Sequence, residues 1–321
     1  MKFSLKWIIF ITICSVSTFT HAQTYPNRPV KLIVPLTPGS GVDIVARILA
    51  KNLSETWKQP VIVENRPGAG GLIGTGAVVN SDPDGYTLLV QSASYAANPA
   101  IYKKLPYDPT KSLIDVSLLG ITPYLMSTSP AGPYASLKDL VIAAKEIPGE
   151  IPFASAGIGS STHLVAEYFN QVAGIKMTHV PYKGGPDAMQ DLIGNRVAYF
   201  MIAFDTAINQ VNAGKLRALG VTTSTRSDVA VNIPSISEQG YPGFDMSLWF
   251  GLWAPSGTPS TIIRKINTDV NFALQDKEVM AAYTKAGIRS KQMSSEEFRK
   301  FVLAEITQYQ KIVSSAKIEQ Q

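Results

Sequence analysis

The stretch Val30 to Lys51, VKLIVPLTPGSGVDIVARILAK, limits what this chain can fold into more than any other. Val30 to Val34 reads as a buried strand, Pro35 to Gly41 as a tight loop, and the residues from about Asp43 as an amphipathic helix. Strand, glycine-bearing loop and helix are how α/β proteins offer several free backbone N–H groups to one anion. Pro35 and Pro38 stiffen the loop, and Gly39 and Gly41 permit an approach that a Cβ would block. The layout returns about 120 residues later. Ile151 to Ala154 reads as a strand, Ser155 to Ser161 as a loop of small residues, and Thr162 to Val172 as a helix with one apolar face. The two copies share a layout but too little identity to form a sequence repeat.

Further strands are expected at Val61–Glu64, Tyr86–Val90, Thr178–Tyr182, Val197–Ile202 and Leu216–Val221. Helices are expected at Leu72–Asn80, Leu137–Lys145, Asp187–Ile193 and Thr206–Ala213. Strands alternating with helices predict an α/β fold of mainly parallel sheets flanked by helices, with ligands at the carboxyl ends of strands. Asn98 to Asp108, rich in Pro and Tyr, reads as irregular. Two long extended segments, Val116–Thr128 and Phe244–Ala254, read as crossings between domains. They divide the chain into a discontinuous first domain (23–123 and 249–321) and an inserted second domain (124–248), with a two-strand hinge and a cleft. Gly257-Thr258-Pro259 marks a helix start, and Ser294-x-x-Glu297 is a capping box opening a long last helix.

Residues 1–22 have the marks of a secretory signal peptide: basic Lys2 and Lys6, apolar Trp7 to Ile13, and Thr20-His21-Ala22 before Gln23. The only cysteine, Cys14, lies within it and has no lipoprotein context. An exported chain without a mature cysteine points to the periplasm. Removal of Lys2 and Lys6 leaves 27 basic residues against 24 acidic ones. That balance, without any basic run, gives nucleic-acid binding no support.

Candidate site residues follow from the two loops. In the first, Thr37 and Ser40 carry hydroxyls, Gly41 and Val42 open the helix, and Asp43 serves either as a plain first-turn acid or as the group that orders the loop. In the second, Ser155, Gly157, Gly159, Ser160 and Thr162 belong to the densest cluster of small donors, and His163 begins the helix. Ser92 and Ser94 follow the third strand, and Asp205 stands at a strand-to-loop end. Two mature histidines without a carboxylate–histidine motif make a metal site unexpected, and no cofactor is called for. Gly39-Ser40-Gly41 lacks the Walker lysine, Gly157-x-Gly159 has Thr162 in place of the third glycine, and no Gly-x-Ser-x-Gly elbow is present. The loops suit anion binding without chemistry attached.

From about Tyr25 to the last helix, the chain resembles the periplasmic receptors of tripartite tricarboxylate transporters, the Bug receptors. The resemblance rests on Tyr25-Pro26-x-Arg28-Pro29-Val30, Pro35-x-x-Pro38-Gly39 with Asp43, Glu64 to Gly71, and Pro83 to Leu88. It continues in Ala154 to Gly157 with Gly159-Ser160 and His163-Leu164, Val180 to Gly184, Gly214 to Leu219 and Trp249-Phe250-Gly251. It implies a two-domain Venus-flytrap protein, expected to be a monomer, whose two loops grip one carboxylate of a small organic acid. The membrane partner would be a transporter or, alternatively, a signalling protein. Ser40, Val42 and Leu36 depart from the residues the family usually has there.

Overall fold

The computed structural model describes residues 25–227, 231–315, 318 and 320. The expected signal peptide, 1–22, lies outside the described residues. The chain begins with β1 (Val30–Val34), α1 (Gly41–Trp57), β2 (Val61–Asn65), α2 (Leu72–Val79), β3 (Thr87–Ser92) and α3 (Ser94–Ile101). A 16-residue strand, β4 (Leu113–Thr128), leads into the other lobe. That lobe holds α4 (Leu137–Glu146), β5 (Pro152–Ser155), α5 (Ser161–Ala173), β6 (Thr178–Pro181), α6 (Gly185–Ile193), β7 (Tyr199–Ala203), α7 (Phe204–Asn212) and β8 (Arg217–Val221). Strand β9 (Ser247–Pro255) returns the chain to α8 (Ser260–Ala273), α9 (Lys277–Lys285) and α10 (Ser295–Ser315).

The strands run in the order β2-β1-β3-β9-β4-β7-β5-β6, with β8 also on β4. Parallel ladders form the heart of each lobe, β1 with β2 and β3, and β5 with β6 and β7. Every antiparallel ladder involves β4 or β9. Strand β4 pairs with β9 as far as Pro123 and with β7 from Tyr124 onward, so one strand belongs to both sheets.

Local chemistry explains the elements. β1 buries Val30, Leu32, Ile33 and Val34, residues of both its faces, as a parallel strand covered by helices requires, and Lys31 alone reaches solvent. In α1, Val42, Val45, Ala46, Leu49, Leu53 and Trp57 recur at helical spacing and are all buried. The final helix opens with the expected capping box: Glu297 N–H donates to Ser294 Oγ (3.2 Å), and Ser294 N–H donates to Glu297 Oε2 (2.8 Å). The core is densest around β9, where Trp253 lies 4.5 Å from Tyr95 and 5.3 Å from Phe298 between ring centroids.

Two expectations need correction. Asn98 to Ile101 is helical, not irregular, although Pro99 lies inside α3. Burial of Tyr95, Ala96, Ala97, Ala100 and Ile101 outweighs the lost backbone bond. Ser92, expected to follow the third strand, is its last residue, and Ser94 opens α3. Helix α9 has no counterpart in the sequence reading. Its signal was Asp276, whose carboxylate caps the N–H groups of Glu278 and Val279.

Candidate functional site

The loops before α1 and α5 have the same construction, which their sequences barely advertise. Gly39 and Gly159 adopt φ of +79° and +77°, a left-handed conformation that favours glycine. Each is followed by a serine cap: Ser40 Oγ accepts from Asp43 N–H, and Ser160 Oγ from His163 N–H. In each, the third helical residue also reaches back. Asp43 Oδ2 accepts from Gly39 N–H (2.9 Å) and His163 Nδ1 from Gly159 N–H (3.4 Å). The remaining first-turn donors of α1, the N–H groups of Gly41 and Val42, meet no acceptor among the described residues.

Both helix starts open on one cleft between the lobes, which holds about 440 Å³ free of protein atoms, partly open to solvent. Of the residues expected from sequence, Ser40, Gly41, Val42, Ser92, Ser94, Ser160 and Thr162 line it. Ser161, Gly185 and Thr206 add to its polar side. Ser94 joins the lobes, its Oγ accepting from Ser161 N–H at 3.0 Å.

The other candidates stand behind this surface. Asp43 is buried; its carboxylate accepts from Gly39, Arg47 Nε (2.9 Å) and Asn65 Nδ2 (2.9 Å). Burial works to raise its pKa, but those hydrogen bonds prevail and hold it below the usual carboxylate range. Ser155 Oγ sits 2.6 Å from His179 Nε2 and bonds to Gly157, while Gly157 and Gly159 shape the loop backbone. His163 stacks on His179 with centroids 3.9 Å apart. Burial first, then the neighbouring His163, depress His179 to about 3, so it is neutral. Thr37 packs against Gly184 and does not line the cleft. The side chain of Asp205 lies outside the described residues. On the apolar side of the cleft, Leu36 was singled out through the family resemblance, whereas Phe200, Ile202, Leu248 and Phe250 were missed.

No Asp, Glu, Lys, Arg or His lines the cleft among the described residues, and no cluster of three metal-ligating side chains occurs among them. A site of helix N-termini and hydroxyls stabilises an anion through fixed dipoles. Asp43→Ala is expected to destabilise the protein by about 1–3 kcal/mol, since it orphans the Gly39 and Asn65 donors. The folded pKa of Asp43 lies below the unfolded one, so its contribution is complete above pH about 4 and disappears as pH falls through the folded value. Melting curves of wild type and variant should converge on acidification; a gap constant with pH would contradict this role.

Across the lobes, Tyr102 donates its hydroxyl to Ile158 O at 2.8 Å and Gln171 Nε2 donates to Ser315 O at 2.7 Å. The turn Gly68–Gly71 meets the Gly157–Gly159 loop so closely that a Cβ on Gly70 would lie 2.6 Å from Ile158 O.

Comparison with known proteins identifies this architecture. The chain is 38% identical to BugT of Bordetella pertussis over 95% of its length and 94% of that protein. It superposes on an R. palustris protein solved with adipate, Rpa4515, with TM-score 0.89 and 32% identity over 92% of this chain and all of that one. MatC of Rhodopseudomonas palustris, solved with malate, gives TM-score 0.86 and 31% identity over 90% of this chain and all of that one. The fold is that of solved periplasmic binding proteins. Residues 45–318 match the model of the tripartite tricarboxylate transporter family receptor, and the chain belongs to that family of solute-binding receptors.

Proposed function

We propose that this protein captures a small organic carboxylate between its lobes in the periplasm and delivers it to the membrane components of a tripartite tricarboxylate-type transporter. One observation carries the reading: two helices, one from each lobe and each capped by a serine, start at the same cleft, whose described lining residues are all uncharged. In this reading the lobes are residues 23–123 with 249–321, and 124–248, turning about β4 and β9. Micromolar affinity requires about 8 kcal/mol. Several hydrogen bonds to a charged group, at about 1.5–3 kcal/mol each, reach that figure before association costs. Because only the closed form supplies donors from both lobes, the ligand favours closure.

The test is a thermal-shift panel of mono-, di- and tricarboxylates, amino acids and aromatic acids on the purified protein. A binder raises the melting temperature in proportion to RT ln(1 + [L]/Kd), by mass action. If no acid in the panel does so, carboxylate capture is wrong. Ser160→Ala is expected to weaken the bound acid by about tenfold through loss of the α5 cap. Gly41→Val should weaken it more, by placing methyl groups where the ligand meets the α1 backbone. Unchanged calorimetric affinity in both variants would put the carboxylate elsewhere.

A further inference from the structure

We infer that the preferred ligand is a monocarboxylate with an apolar body, aliphatic or aromatic, rather than a di- or tricarboxylate; this rests on the carboxylate capture proposed above. The cleft has two unlike sides. One carries the starts of α1 and α5 with their serines. The other is hydrocarbon. Phe200 and Ile202 are alternate residues of β7, and Leu248 and Phe250 alternate residues of β9, so each pair shares a face of its strand. Both pairs face the cleft, with Leu36 and Val42 completing the wall.

The polar side is already committed. Ser160 Oγ donates to Gly157 O (2.7 Å), and Thr162 Oγ1 accepts from Ala156 N–H (2.9 Å). Ser92 Oγ, Ser94 Oγ and Ser161 Oγ form a chain at 3.1 and 3.4 Å. What remains, the free N–H groups at the start of α1, suits one carboxylate. A second carboxylate on the same small molecule would leave water against phenyl and alkyl groups, with no cationic side chain among the described lining residues. Stripping an ion of water without partners is among the costliest events in a protein interior, whereas the same wall stabilises a hydrocarbon chain or ring.

The test uses acids that differ only at the far end: hexanoate against adipate, and benzoate against terephthalate, by isothermal calorimetry on the intact protein. In each pair the monoacid is expected to bind at least about 50-fold more tightly, a difference of just over 2 kcal/mol at 1.4 kcal/mol per decade. Ile202→Lys, which sets a cation in the wall, should narrow that ratio at least about tenfold. Wild-type ratios decide the matter even if the variant fails to fold. Equal or tighter binding of the diacids overturns the inference and leaves carboxylate capture standing. Binding of none of the four overturns the inference, and capture falls with it only if the wider acid panel is also silent.

Discussion

Gly70→Ala is expected to lower ligand affinity by about 100-fold, beyond a loss of about 1–2 kcal/mol in the stability of the empty protein. Gly70 has φ +60°, where an alanine costs about 1–2 kcal/mol. The larger effect comes from across the cleft. The new methyl would lie 2.6 Å from the backbone oxygen of Ile158, and a backbone atom cannot rotate aside as a side chain can. Separated lobes relieve that clash, whereas the closed arrangement cannot. Full closure is then denied, and the ligand keeps the donors of one lobe only. Losing one or two hydrogen bonds to a charged group, at about 1.5–3 kcal/mol each, amounts to about two decades. Calorimetry with an acid that stabilises the wild type measures the loss, and small-angle scattering should show that the acid no longer compacts the variant. Wild-type affinity in Gly70→Ala would mean that this contact is dispensable for gripping.

Trp253→Ala is expected to cost about 3–5 kcal/mol, the usual price of emptying a buried aromatic site. Trp253 is fully buried among Tyr95, Trp249 and Phe298. Its Nε1–H also donates to Asp115 Oδ1 at 2.7 Å. Burial raises the Asp115 pKa above the usual carboxylate value even though Trp253 and Arg299 act to lower it. A carboxyl whose folded pKa lies above its unfolded one favours folding least at high pH. Removing a donor to its ionised form enlarges that penalty, so the deficit of the variant should grow as pH rises from about 4 toward neutrality. Trp253→Phe keeps most of the ring and should show a smaller deficit with the same pH trend. Thermal melts from acid to neutral pH test both, and a pH-independent deficit would exclude the Asp115 bond as its source.

Much of the scaffold was readable because its signals are local. Val30 to Val34 can hardly be anything but a buried strand, and small residues between such a run and an amphipathic helix announce a donor-lined turn. The equivalence of the two turns was harder to see. It lies in Gly39-Ser40 and Gly159-Ser160 and in what the third helical residue does, and an aspartate and a histidine perform that role alike. Beyond Leu36, the apolar side of the cleft left no trace in the sequence. Phe200 and Ile202 are as hydrophobic as Tyr199 and Met201 beside them, and only the sheet decides which pair faces the ligand and which the core. Helix α3 was hidden by Pro99, since tertiary burial overrides a local breaker. Ser155 and His163 were read as possible contacts because they are polar, yet they hold the loop from behind.

An acid held by peptide dipoles adds its negative charge to the molecule, and none of the described lining residues is a basic side chain that would mask its field. Loaded and empty molecules therefore differ by one full electrostatic unit, located at the seam between the lobes. A protein docking over that seam would sense cargo through its field as well as through shape. Capillary electrophoresis under native conditions should separate the two forms accordingly.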